Sequence, residues 1–251
     1  IVDNNTQAQS KEVRLETSEE IQLPDEGWSL KGEENGVFVY GKTFYANWKD
    51  KNFTVTDLAG NVSEPQFVEV KRIDNSRPTV VELTQDITDW TNKDVTVTIK
   101  TSTDCVAPEG WKQVNKRTFT KVFNANGEYS VTLTSVTGVT GDAHLFSITN
   151  IDKEAPVIDY AAIESANGYR KEIPVNEGEE YTEEKLVEMF TKPEWVSDNS
   201  GTATFKVDKW GLEHGLDGYQ PFTSKTPGEY KVRFYAYDAA GNNSSFDVYV
   251  K

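Results

Sequence analysis

Asp57-Leu58-Ala59-Gly60-Asn61, with Ile73-Asp74-Asn75-Ser76-Arg77-Pro78 close behind it, is the stretch from which the fold is read. Both halves recur. Ile151-Asp152-Lys153-Glu154-Ala155-Pro156 repeats the Ile-Asp-x-x-x-Pro ending, and Asp238-Ala239-Ala240-Gly241-Asn242 repeats the pentapeptide near the C-terminus. Thr54-Val55-Thr56 before the first pentapeptide and Phe67-Val68-Glu69-Val70 after it are β-branched or aromatic runs of the kind strands prefer. Between them the chain must reverse. Gly60 takes a positive φ without steric cost and Asp57 can accept from turn amides downstream, so the pentapeptide reads as a tight turn. An all-β chain of three modules follows, spanning residues 1–75, 76–153 and 154–251.

Length and composition agree with that division. A chain of 251 residues suits two or three ordinary domains, and a module of this size buries roughly 60% of its unfolded surface, enough to fold alone. Aromatics make up 12% of the chain against 36% hydrophobic residues in all, with a single methionine, which fits sandwich cores of Tyr, Phe, Trp and Val. Cys105 is the one cysteine, so the cores hold without an internal disulfide. A formal charge of −15 repels nucleic acid and anionic membranes and makes cation binding conceivable. No apolar run approaches a membrane span, and the polar opening Ile1-Val2-Asp3-Asn4 reads as the start of an excised segment.

Further landmarks lie along the chain. Val106-Ala107-Pro108-Glu109-Gly110-Trp111 matches Leu23-Pro24-Asp25-Glu26-Gly27-Trp28. Val95, Val97 and Ile99 alternate as one buried strand face. In the second module the turn reads Ser135-Val136-Thr137-Gly138-Val139, which keeps the glycine and loses the Asp and Asn. The third module carries extra length, including Thr182-Glu183-Glu184-Lys185-Leu186-Val187-Glu188-Met189-Phe190, where a capping Thr, two acids and apolar residues at helical spacing predict one short helix.

Trp90-Thr91-Asn92-Lys93-Asp94-Val95-Thr96-Val97-Thr98, the Pro-Glu-Gly-Trp element and the Asp-x-Ala-Gly-Asn turn with its junction resemble the tandem bacterial immunoglobulin-like repeats of Gram-positive surface proteins. The resemblance covers nearly the whole chain and implies three tandem immunoglobulin-like β-sandwiches, the third with one short helix. It also implies display at the cell surface or cell wall, a spacer or adhesive role, and no catalytic residues.

The expected chemistry is correspondingly sparse. An enzyme needs a nucleophile, base or metal set, and of the two histidines His144 is read on a loop and His214 in Glu213-His214-Gly215, neither with a second ligand at metal spacing. Trp28, Trp90, Trp111 and Trp195 are read as packing residues, whereas Trp210 with Tyr219 and Phe222 forms the candidate platform for a glycan or host protein. Asp57, Asn61, Asp74 and Asn75 at the first junction are the candidate Ca²⁺ ligands, although turn acids more often bind their own amides. The expected function is a monomeric, non-enzymatic spacer or adhesin segment whose partners are neighbouring domains of its own chain. The alternatives are a binding module acting through the third domain and an ancillary region of a secreted carbohydrate-active enzyme.

Overall fold

A computed structural model describes residues 2–167, 172–173, 179–201, 203–206, 222–223 and 230–250. Strands dominate it, as the β-rich reading requires. By internal contacts the chain divides into two compact units: residues 1–84 with 97–121 and 128–146, and residues 85–96 with 122–127 and 147–251. The division passes through residues 76–153, the stretch read as a second module.

In the first unit, strand Val37–Phe44 lies between Lys11–Thr17 and Ser29–Glu34, antiparallel to both. Trp48–Phe53 pairs with Gln66–Val70, and Ile21–Gln22 with Thr56–Asp57. Their alternating apolar residues converge on a core of Val13, Ile21, Trp28, Tyr40, Phe44, Val70 and Ile73. The polar end of buried Tyr40 is satisfied there, its hydroxyl accepting from the Ile21 amide at 3.0 Å.

Strands Val80–Gln85, Val95–Thr101, Lys112–Asn115 and Thr118–Phe123 form one sheet, in which Val95, Val97 and Ile99 are all fully buried. Trp111 occupies the same buried place after its glycine as Trp28 does after Gly27, and both glycines have positive φ. Trp195 is buried too. Trp90 departs from the packing expectation at 39% exposed. His144, expected on a loop, begins the strand His144–Ile148, where alternation of His144, Phe146 and Ile148 inward overrides the loop composition before it.

In the second unit, Asn243–Val250 and Tyr230–Asp238 form the long central pair of a four-stranded sheet with Glu172–Ile173 and Ala203–Lys206 at its edges. Phe234 and Phe246 face each other in register, their rings stacked at 5.2 Å. Among the described residues two α-helices pack here where the sequence predicted one. α1 (Tyr160–Asn167) starts at Asp159, whose carboxylate accepts from the Ala162 amide at 2.9 Å and so caps the helix. α2 (Glu183–Phe190) is the expected helix, capped by Thr182 and burying Leu186 and Phe190 while Glu184 and Glu188 stay exposed.

The repeated sequence landmarks fold to repeated hydrogen bonds. Near the first link Ala8 pairs with Ile73 in parallel: its amide donates to Arg72 O and its carbonyl accepts from the Asp74 amide, both at 3.0 Å. Near the second link Thr91 does the same with Ile151, its amide donating to Asn150 O and its carbonyl accepting from the Asp152 amide, both at 2.9 Å. The Ile amide is held alike in each case, donating to Asn47 Oδ1 from Ile73 at 2.9 Å and to Asn126 Oδ1 from Ile151 at 2.8 Å.

Candidate metal centre

Three turns share one geometry, and the last of them supplies part of the site. Asp57 N donates to Asn61 O and Gly60 N to Asp57 O; Ser135 with Val139 and Gly138, and Asp238 with Asn242 and Gly241, repeat both bonds. Gly60, Gly138 and Gly241 sit at φ of +93°, +89° and +89°, the left-handed region a β-carbon disfavours, so glycine is the residue all three retain. The first side chain of each turn accepts from the amide four residues on: Asp57 Oδ1 from Asn61 and Asp238 Oδ1 from Asn242, each at 2.8 Å, and Ser135 Oγ from Val139 at 3.0 Å. A hydroxyl does the carboxylate's work in the middle turn. It does so without the charge.

Two of these turns rest against a link. Thr137 Oγ1 donates to the carbonyl of Asp74 at 3.0 Å, and Asn242 Nδ2 donates to the carbonyl of Asp152 at 2.9 Å. A third segment reaches each link from the end of a strand. Ser102 N donates to Thr79 O, one residue past Pro78, and Ser197 pairs with Val157, one residue past Pro156. The next residue in each case, Thr103 or Asp198, therefore occupies the corresponding place.

The chemistry at the two links then diverges. Asp74 is fully provided for: Oδ2 accepts from Thr103 Oγ1 at 2.8 Å and from Gln7 Nε2 at 3.0 Å, and Oδ1 accepts from the amide and hydroxyl of Ser76. The Ser76 bonds foremost, then that of Thr103, hold its pKa below the ordinary carboxylate range. Asp152 is more buried, at 4% exposed, and its Oδ1 accepts from the Glu154 amide at 3.0 Å. Its Oδ2 is buried and has no hydrogen-bond partner. In place of hydroxyls it meets Asp198 and Asp238, and one carboxylate oxygen from each of the three lies within 4.8 Å of the others.

Among the described residues no Lys, Arg or His forms a salt bridge with any of the three; neighbouring Lys153 pairs with Asp94 at 2.6 Å. Asp238, 8% exposed, is held by Asn242 through both oxygens, and Asp198 Oδ2 accepts from the Ser200 amide at 2.7 Å and from its hydroxyl. Each carboxylate is thus oriented by its own turn, which is what fixed metal ligands require.

The Ca²⁺ candidates named from sequence lie elsewhere. Asp57 binds Asn61 through both oxygens, a pairing with the Asn61 side chain that lowers its pKa, and Asn75 Nδ2 donates to Tyr45 O at 2.7 Å. Trp210 and Tyr219 fall outside the described residues. Phe222 lies in the two-residue strand Phe222–Thr223 paired with Glu180–Tyr181, and only its backbone is described. A separate cleft of about 830 Å³ in the first unit is walled by Val13, Leu15, Trp28, Phe53 and Val68, with Glu16, Asp57 and Glu64 among its polar lining. No family model matches the sequence, and no curated protein is detectably similar to it.

Proposed function

We propose that the chain is a non-enzymatic extracellular segment of three tandem immunoglobulin-like modules, residues 1–75, 76–153 and 154–251, that spaces or displays another part of a bacterial surface protein. The observation that carries this reading is the repetition of one set of contacts. The parallel bridge, the asparagine that holds the link isoleucine and the turn on the link recur at Ile73-Asp74 and at Ile151-Asp152. A repeated junction is what a chain needs if its job is to set distance and direction, since each module then meets the next in the same way. Proline at position 78 and at position 156 fixes φ and restricts the residue before it, which stiffens each short link.

Small-angle scattering on the isolated chain tests the proposal. Three sandwiches in file span on the order of 100 Å with a radius of gyration nearer to roughly 30 Å, whereas a compact globule of this length gives roughly 18 Å. A value near the smaller figure overturns the spacer reading.

A further inference from the structure

We infer that Asp152, Asp198 and Asp238 form a calcium site that fastens the second link to the turns around it. The inference goes beyond the spacer reading and does not depend on it, since it concerns one site whatever the segment carries.

The first link serves as an internal control. It has the same backbone bridge, the same turn resting on the link carbonyl and the same strand end, yet the carboxylate of its aspartate is met by neutral donors, the Thr103 and Ser76 hydroxyls, the Ser76 amide and the Gln7 side chain. At the second link Asp198 stands where Thr103 does and Asp238 where Ser135 does, so a hydroxyl that donates to the aspartate and a second, uncharged hydroxyl have both become carboxylates. A carboxylate cannot donate to another carboxylate, and Asp152 Oδ2 is left buried without a partner. Three carboxylates gathered in a mostly buried place repel one another, and the donors that each accepts from leave Asp152 Oδ2 unserved. A cation supplies what the hydroxyl protons supply at the first link.

The donor set selects the ion. All three ligands are carboxylate oxygens, with no nitrogen or sulfur among them, which favours a hard cation over zinc or copper. Oxygens bound to Ca²⁺ stand about 2.4 Å from it, so any two lie within roughly 4.8 Å of each other, as these do. Magnesium holds its water more tightly and asks for a near-ideal octahedron, whereas calcium accepts irregular coordination from separate segments. Two of the three ligands are buried, so the ion must shed much of its water there. Asp198, half-buried, leaves a side from which water completes the shell.

The rival explanation is a carboxylate cluster that holds no ion and is oriented by its turn amides alone. Calorimetric titration of the chelator-stripped, full 251-residue chain with CaCl₂ at neutral pH separates the two, alongside thermal unfolding in calcium and in EDTA. The expected result is one saturable equivalent and a higher unfolding midpoint in calcium. Asp198→Thr combined with Asp238→Ser rebuilds the first link at the second: it should unfold in EDTA no earlier than the parent and lose both the binding and the calcium-dependent shift. Should that double variant fail to fold, Asp198→Asn keeps the shape and should weaken calcium binding by roughly tenfold or more. No saturable binding by the parent up to about 10 mM, above the range of weak extracellular calcium modules, overturns the inference. Parent-like binding by the folded double variant, or by Asp198→Asn where that is the variant tested, also overturns it.

Discussion

The Thr103 hydroxyl donates to Asp74 Oδ2 at 2.8 Å, although 29 residues separate them, and this one bond joins a strand end to the first link. Ser76 and Gln7 bind the same carboxylate, so Asp74 sits at the centre of a network drawn from three parts of the chain. Removing Thr103's hydroxyl should therefore be felt at the link. Thr103→Val keeps the shape of a buried side chain and deletes a donor, which should cost about 1 kcal/mol at neutral pH, read by chemical denaturation.

The same bond gives a pH signature. Asp74's folded pKa is lowered, by Ser76 foremost and by Thr103 in part, so its contribution to stability is present above the ordinary carboxylate pKa and is lost as pH falls through the lower folded value. Thr103→Val weakens that depression. The stability gap between parent and variant should be widest at neutral pH and should narrow as the pH is taken below about 4. A gap that widened on acidification would mean the hydroxyl is not acting on the ionised carboxylate.

The turns were legible in the sequence and their destinations were not. Asp-x-Ala-Gly-Asn announces its own geometry because the bonds that make it lie within five residues, and Gly60 and Gly241 have the positive φ it demands. Asp57, Asn61, Asp74 and Asn75 read as cation candidates because those residues are near neighbours along the chain. The turn that rests on a link, however, comes from the sequence after it: Thr137 reaches Asp74, and Asn242 reaches Asp152. Asp152 and Asp238 stand in the recurring motifs and Asp198 lies outside them, so only tertiary pairing brings the three together. Exchange of Thr103 for Asp198 and of Ser135 for Asp238 was the available signal, and reading it requires knowing which residues correspond.

Ser135 tests whether the middle turn is equivalent to its neighbours despite its different letters. It is 2% exposed, and its hydroxyl accepts from the Val139 amide as the aspartates do from theirs. Ser135→Ala should destabilise the protein by about 1 kcal/mol, because the amide loses its side-chain acceptor inside the fold. Gly60→Val should also cost about 1 kcal/mol or more, entirely through the backbone, since no atom stands within 4 Å of where a β-carbon would be. Equilibrium unfolding in urea measures both, and an unchanged midpoint for either would show that its turn is not held as described.

Cys105 is buried at 1% exposed, its thiol donating to Thr103 O at 3.4 Å, and burial pushes its pKa up. A thiol that is both shielded and slow to ionise reacts poorly with disulfide reagents. Native protein should therefore give almost no signal with a thiol-exchange reagent at pH 8, and denatured protein should give one thiol per chain. Prompt reaction of the native chain would place the sulfur at the surface.

Asn126 and Asn47 offer a graded test of the links. Asn126 accepts from the Ile151 amide at 2.8 Å and donates to the Ile151 carbonyl at 2.7 Å, so one side chain satisfies both backbone groups of a residue only 6% exposed. Asn47 holds its counterpart by accepting from the Ile73 amide at 2.9 Å. A buried backbone group left without a partner costs about 1–3 kcal/mol, so Asn126→Ala, which strands two, should destabilise by roughly 2–4 kcal/mol. Asn47→Ala, which strands one, should cost about half as much. Asn126→Asp separates the two bonds, because a carboxylate still accepts from the amide but cannot donate to the carbonyl, and its loss should fall between the parent and Asn126→Ala at neutral pH. Denaturation midpoints that ranked Asn47→Ala as the more damaging change would mean that the amide bond alone carries the link and that the second bond at Ile151 adds nothing.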